Sequence, residues 1–208
     1  MSTETIEPTP GRTRRLSPRQ RDLLAVVCIA VVLLIPVPGL LRYQGPPMEE
    51  GFMLAFPEQI LNGRFPHRDF LHLYGPGSLY VLAGIYKVFG VDLTVERLVG
   101  LIQHAAVAFG MFALLRPFGR RVATVAAMVT ILVLIGPGGL SAMAWNGALG
   151  LGICAVAVAT AAARRDDGPR ARRMLALAGV LGGAALLYRP DMVLAVVAGL
   201  GAVWWGLD

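Results

Sequence analysis

Long apolar runs separated by short polar segments dominate the pattern of this 208-residue chain. The runs cover residues 23–41, 98–115, 122–135, 142–163, 174–188 and 192–205. A helix of roughly 20 apolar residues can cross a bilayer, because the helix pairs its own backbone groups and lipid offers them no partner. The pattern therefore predicts an all-α fold, a polytopic transmembrane helical bundle with about six spans.

Composition and charge support this fold class over a soluble one. Hydrophobic residues make up 56% of the chain and charged residues only 15%, whereas soluble domains carry about 25% charged residues. The net charge of +6 could suggest nucleic acid as a partner. The basic residues lie in short clusters between apolar runs, however, which is the pattern of cytoplasmic loops in membrane proteins. We therefore predict membrane lipids as partners and exclude nucleic acid.

The basic clusters also predict an orientation. They lie at residues 12–21, 116–121 and 164–173. If the short apolar segment 78–90 crosses the membrane, the second and third clusters fall outside. If it lies in the interface, all three fall in the cytoplasm, as the Lys/Arg bias favours. This second arrangement predicts that residues 1–21 form a disordered, basic cytoplasmic tail. Residues 22–208 then form the transmembrane domain, with residues 42–97 as a long external loop.

Three minor features have ordinary structural interpretations. The first apolar run ends without a small-residue cleavage site, which favours a retained signal-anchor helix. Cys28 and Cys154 lie inside apolar runs, as expected of buried small hydrophobic side chains. Trp145 and Asn146 follow the turn-like sequence GPGG at 136–139. They could line an acceptor groove, but a role as an anchor at the membrane interface is favoured.

The external loop contains an acidic pair, Glu49-Glu50, directly after Pro46-Pro47. Acidic residues in the first turn of a helix favour its dipole, which is the structural interpretation. The functional interpretation is a general base acting on an acceptor hydroxyl at the membrane surface. The pair alone does not decide between the two.

Basic side chains farther along could meet a phosphate. Arg64 and Arg68 offer bidentate donors, with contact to lipid headgroups as the alternative. Arg189 interrupts two apolar runs, either binding a donor phosphate or pairing with Asp191. His67 and His72 of the loop could bind a metal, but no third ligand pattern accompanies them. Hydrogen bonding at the membrane interface is therefore favoured over a metal site.

The loop also resembles a known family. The order EEGF, NGRFPHRDF, HLYGPGSLYVL, FG and VERLV is similar to the first periplasmic loop of GT-C glycosyltransferases. This superfamily includes protein O-mannosyltransferases, lipid A aminoarabinose transferases and mycobacterial arabinofuranosyltransferases. The resemblance covers roughly residues 20–135. It implies a polyprenyl-phosphate sugar as donor, a glycan, lipid or protein as acceptor, and transfer on the external face of a bacterial inner membrane.

Matching the motifs implies roles for individual residues. The catalytic acidic position of the family falls on Glu49, with Glu50 as its neighbour. The family usually has Asp there, and the longer Glu leaves open which of the two is the base. The second acidic position matches Asp69, and the aromatic-Gly-Pro turn begins at Tyr74. Arg64, Arg68, Asp69, His72, Tyr74 and Arg189 are the expected substrate-binding residues.

The sequence thus predicts an inverting glycosyltransferase, or the N-terminal part of one, since enzymes of this superfamily usually run longer. Whether a divalent metal assists is left open, because no ligand set is visible. Two other functions remain: a non-catalytic membrane subunit of a glycosylation system and a small transporter. A transporter should show polar groups midway through its spans and repeat symmetry, and the sequence shows neither clearly.

Overall fold

The computed structural model of the protein describes residues 17–43, 45–165 and 168–206. Within these ranges the regular structure is helical, apart from an isolated bridge between Pro66 and Phe70. The helices are α1 (Pro18–Leu34), α2 (Val37–Leu40), α3 (Pro47–Leu61), α4 (Gly77–Phe89), α5 (Leu93–Leu115), α6 (Arg120–Gly138), α7 (Ala144–Ala163), α8 (Pro169–Tyr188) and α9 (Val193–Trp205). Short 3₁₀ turns at Arg116–Phe118 and Pro190–Met192 join α5 to α6 and α8 to α9. The predicted all-α class is confirmed.

Four of the described helices are long and apolar enough to cross a membrane. They are Pro18–Leu40, which combines α1 and α2, Leu93–Phe118, Ala144–Ala163 and Pro169–Tyr188. The protein is therefore a multi-pass integral membrane protein, as its apolar runs predict. The 13-residue helices α4 and α9 are apolar but shorter than a full span.

The bundle is built around α5 and α7. Helix α7 packs against α5, α8 and α9, and α5 packs against α6 and α1. Small residues permit the close approach that helix packing in lipid requires. At Gly100, for example, an added Cβ would overlap the backbone carbonyl of Leu140. Helices α5 and α7 run in the same direction and α8 runs opposite to them, so the first turns of α5 and α7 lie near the last turn of α8. Helices α3 and α4 lie at this same end of the bundle.

Three details of the sequence prediction are wrong. Residues 18–21, predicted to belong to a disordered tail, are helical, because Ser17 forms a capping box with Gln20 and α1 begins at Pro18; the rest of that prediction falls on residues 1–16, which lie outside the described ranges. The predicted turn at 136–139 is mostly helical, and the break comes at Gly139, where φ is +57°. Cys28 is exposed on the surface of α1, and Cys154 is only partly buried.

Candidate active site

A cavity of about 370 Å³ lies at the end of the bundle where α3 and α4 are found. Its lining comes from α3, from the loop before α4 and from the start of α7: Met48, Glu49, Phe52, Met53, Phe56, Leu71, His72, Leu73, Tyr74, Met143, Ala144 and Trp145. The walls are mostly apolar, and Glu49 is the carboxylate among these residues. The cavity therefore combines an acidic group with surfaces suited to an amphiphilic substrate.

The neighbouring Glu50 points away from the cavity into the bundle. It is 6% exposed and forms a two-pronged ion pair with Arg97 of α5, with Nε–Oε1 and Nη2–Oε2 distances of 2.7 and 3.0 Å. Nη1 of Arg97 donates to the carbonyl oxygens of Leu40 and Leu41, at 3.2 and 2.8 Å. These contacts join α2, α3 and α5. The Glu50–Arg97 ion pair holds the first turn of α3 in place. It therefore also determines on which side of the helix the adjacent Glu49 lies.

Glu96, the residue before Arg97, holds the opposite wall of the cavity. It is fully buried, and its Oε1 accepts from the hydroxyl of Ser141 at 2.9 Å and from the amide of Ala142 at 2.6 Å. Residues 143–145 follow directly and line the cavity. Two consecutive side chains at the start of α5 thus position both walls.

Aromatic rings form a continuous row along one side of the cavity. Phe56 stacks on Phe52 and on Phe70, with ring centroids 5.0 and 5.1 Å apart. His72 meets Phe56 and Tyr74 edge-on, each with a centroid distance of 5.7 Å. These rings provide a rigid apolar wall that contains a polar imidazole.

His72 is the buried polar group of this wall. It is 5% exposed, and its Nε2 has no hydrogen-bond partner among the described residues. Burial lowers the pKa of His72, and the nearby His67 adds to the shift. His72 therefore contributes to this wall a buried imidazole nitrogen that the described residues leave without a hydrogen-bond partner.

The loop that carries Tyr74 is docked on the end of α8. The amide of Gly75 donates to the carbonyl of Tyr188 at 3.1 Å, and a Cβ at Gly77 would lie 2.9 Å from the backbone of Leu187. This docking brings the Arg189 guanidinium over the Tyr74 ring, 4.7 Å from its centroid.

Arg189 also forms an ion pair with Asp191, at 3.0 Å (Nε–Oδ1) and 2.6 Å (Nη2–Oδ2). The local pairing considered from the sequence is therefore present. The Arg189 side chain retains 24% exposure, so it can still reach a ligand at the edge of the cavity.

The remaining predicted substrate-binding residues lie on an exposed turn beside the cavity. Asp69 accepts from the amide of Phe65 at 2.8 Å and from Nε of Arg68 at 3.0 Å. The Arg68 guanidinium and the Phe65 amide hold the pKa of Asp69 below its usual value. Arg64 is also exposed, and none of these residues belongs to the described lining of the cavity. Their binding role stays a prediction.

A comparison with protein families identifies the family. The model of the dolichyl-phosphate-mannose-protein mannosyltransferase family matches residues 74–206. The chain belongs to this family. The match confirms the predicted membership in the GT-C-type membrane glycosyltransferases, and it begins at Tyr74, so it does not include Glu49 or Glu50. Comparisons with curated proteins and with solved structures gave no match.

The part of this mannosyltransferase-family protein that the structure describes contains no group of three or more His, Cys, Asp or Glu residues that could hold a metal ion. His67 and His72 come near each other, with ring centroids 6.1 Å apart. Whether a divalent metal takes part in the reaction therefore stays open.

Several residues in and near the cavity differ from the sequence interpretation. Trp145 lines the cavity, with its Nε1 donating to Met143 Sδ at 2.8 Å, and Asn146 is fully buried. Sequence reasoning did not single out Glu96 and Arg97. The signal that could have found them is a charged pair in the first turn of a long apolar helix, where each charge needs a partner.

Proposed function

We propose that the protein transfers a sugar from a polyprenyl-phosphate donor to an acceptor hydroxyl, with Glu49 as the general base. The observation that carries this proposal is the division of roles between the two adjacent acids. Glu49 lines the cavity, whereas both oxygens of Glu50 are bound by Arg97. Glu49 is therefore available to a substrate, and we assign Glu50 the role of a positioning residue.

The chemistry requires little beyond this carboxylate and support for the leaving group. Glu49 takes the proton of the acceptor hydroxyl while the oxygen of that hydroxyl attacks the anomeric carbon of the sugar. The bond from that carbon to the phosphate oxygen breaks, and polyprenyl phosphate leaves with the bonding electrons. Phosphate is a good leaving group, and donors aimed at its developing charge lower the barrier further.

We assign the phosphate contact to Arg189, Tyr74 and His72. Arg189 is held over Tyr74 at the edge of the cavity, and His72 lines the cavity next to Tyr74, with ring centroids 5.7 Å apart. A guanidinium offers paired donors that match phosphate geometry. Arg64 and Arg68, with Asp69 holding the turn, would receive the charged headgroup as the donor approaches.

We further propose that the cavity faces the outside of a bacterial plasma membrane, with the N-terminus in the cytoplasm. Six crossings by α1–α2 and α5 through α9, with α4 in the interface, keep all three basic clusters on the cytoplasmic side. Helices α4 and α9 both have 13 residues, so their length does not distinguish a crossing from an interfacial helix, and it is the placement of the basic clusters that favours α4 in the interface. Residues 49, 74, 145 and 189 then share the external face.

The donor class can be tested with the full chain in proteoliposomes. We expect radiolabelled sugar to reach a hydroxyl acceptor when supplied as polyprenyl-phosphate mannose, and not when supplied as the nucleotide sugar. The family makes mannose the first sugar to try. Transfer from the nucleotide sugar in the absence of polyprenyl phosphate would refute the proposed donor. Absence of transfer from every polyprenyl-phosphate sugar would favour a non-catalytic subunit.

A further inference from the structure

Three adjoining clefts lie at the opposite end of the bundle from the cavity. They are formed where α5 and α7 end and α8 begins, and Arg164 lines all three. Helix α5 has 23 residues and α7 has 20, so about 30 Å separates this end from the first turns of the same helices. That distance matches the hydrocarbon core of a bilayer. The clefts and the cavity therefore lie at opposite membrane surfaces.

Two of the three clefts are basic. One, of about 400 Å³, includes Arg116, Arg164 and Arg165. The other, of about 440 Å³, includes Arg164, Arg165 and Arg170. Asp22 holds Arg116 in an ion pair, at 3.0 Å from Nε to Oδ1. Residues 164–173 contain five Arg and two Asp, so the segment keeps a net positive charge.

The third cleft is apolar and runs between α5, α7 and α9. It has a volume of about 460 Å³, and its walls include Leu114, Phe118, Val156 and Val203. It meets the basic clefts at Arg164. An apolar cleft that ends at a group of guanidinium ions fits a molecule with an anionic head and a hydrocarbon chain. It does not fit a free phosphate ion.

We propose that this end of the protein binds an anionic phospholipid. The headgroup phosphate is held by Arg164 and Arg165, and one acyl chain lies in the apolar cleft. Guanidinium groups bind phosphate oxygens through paired hydrogen bonds, and basic pockets between transmembrane helices bind anionic headgroups. The site is separate from the cavity, and the proposal does not depend on the transferase reaction.

Lipid retention on the full chain tests this proposal. Native mass spectrometry after exchange into phosphatidylglycerol or phosphatidylcholine counts the lipids that stay bound. We expect the wild-type protein to retain phosphatidylglycerol preferentially, and the double variant R164Q/R165Q to bind it at least about tenfold more weakly. The matched control is R172Q/R173Q, which removes the same charge from exposed residues that line none of the three clefts.

A second variant tests the apolar cleft without touching a charge. Ala202 lines this cleft and is exposed, so the larger side chain of A202F should fill the cleft. Thermal melting checks that the variant keeps its fold. We expect A202F to weaken retention of phosphatidylglycerol as well. Equal losses in R164Q/R165Q and R172Q/R173Q would overturn the proposal in favour of a general surface potential. Equal retention of the two lipids, or full competition by soluble glycerol phosphate, would also overturn it.

Discussion

Replacing Glu49 by Gln should reduce sugar transfer by about 10²- to 10⁴-fold, the contribution typical of a positioned general base. The amide keeps the size of the side chain but cannot accept the proton of the acceptor hydroxyl. Glu49 makes no ion pair or hydrogen bond to the described residues through its side chain, so the fold should not change. The measurement is the initial rate of transfer in membranes with equal amounts of each protein.

The helix that carries Glu49 also provides a matched control. Glu58 is exposed on α3 and lies outside the lining of the cavity, so E58Q makes the same chemical change without touching the site. We expect wild-type rates for E58Q. Unchanged transfer in E49Q, or equal losses in E49Q and E58Q, would remove the catalytic assignment.

Breaking the Glu50–Arg97 pair should have the largest effect on stability. The side chains are 8% and 5% exposed, so either single variant, E50L or R97L, leaves a buried group without its partner. Loss of one partner of a buried ion pair costs about 3–5 kcal/mol. We expect each single variant to melt at a clearly lower temperature in detergent and to lose activity together with its fold.

The double variant E50L/R97L distinguishes this pairing from a general sensitivity of the region. Replacing both charges with apolar side chains removes the unpaired charge, so the double variant should recover at least half of the stability lost in R97L. The comparison is D22N, which breaks the more exposed pairs of Asp22 with Arg116 and Arg120 and should destabilise the protein much less. A double variant as unstable as the sum of the singles would show that the two side chains do not act as a pair.

Local patterns account for the parts of the fold that the sequence predicted. Apolar runs predict helices directly, because a segment in lipid must form hydrogen bonds within its own backbone. The family match confirms the resemblance that the motifs suggested. The exposure of Cys28 was not predictable in this way. A lipid-facing position is as apolar as a buried one, so the run that contains Cys28 does not indicate which side of α1 faces the bundle.

The site was predicted less completely, because its geometry depends on contacts that are distant in sequence. Glu50 and Arg97 are 47 positions apart, and only the packing of α3 on α5 brings them together. From the sequence, Glu49 and Glu50 are two equivalent acids at the start of a helix. Arg97 makes them different, since its guanidinium binds one and leaves the other at the cavity.

The central claim is that the Glu49 side chain occupies a cavity open to the outside, where a lipid-linked sugar reaches it. The most direct test uses E49C in a background in which Cys28 and Cys154 are replaced by Ala. An impermeant maleimide added to intact cells should label Cys at position 49, and polyprenyl-phosphate mannose added to sealed vesicles of outside-out orientation should slow that labelling. Labelling only from the cytoplasmic side, or external labelling at a rate that the donor does not change, would contradict the account.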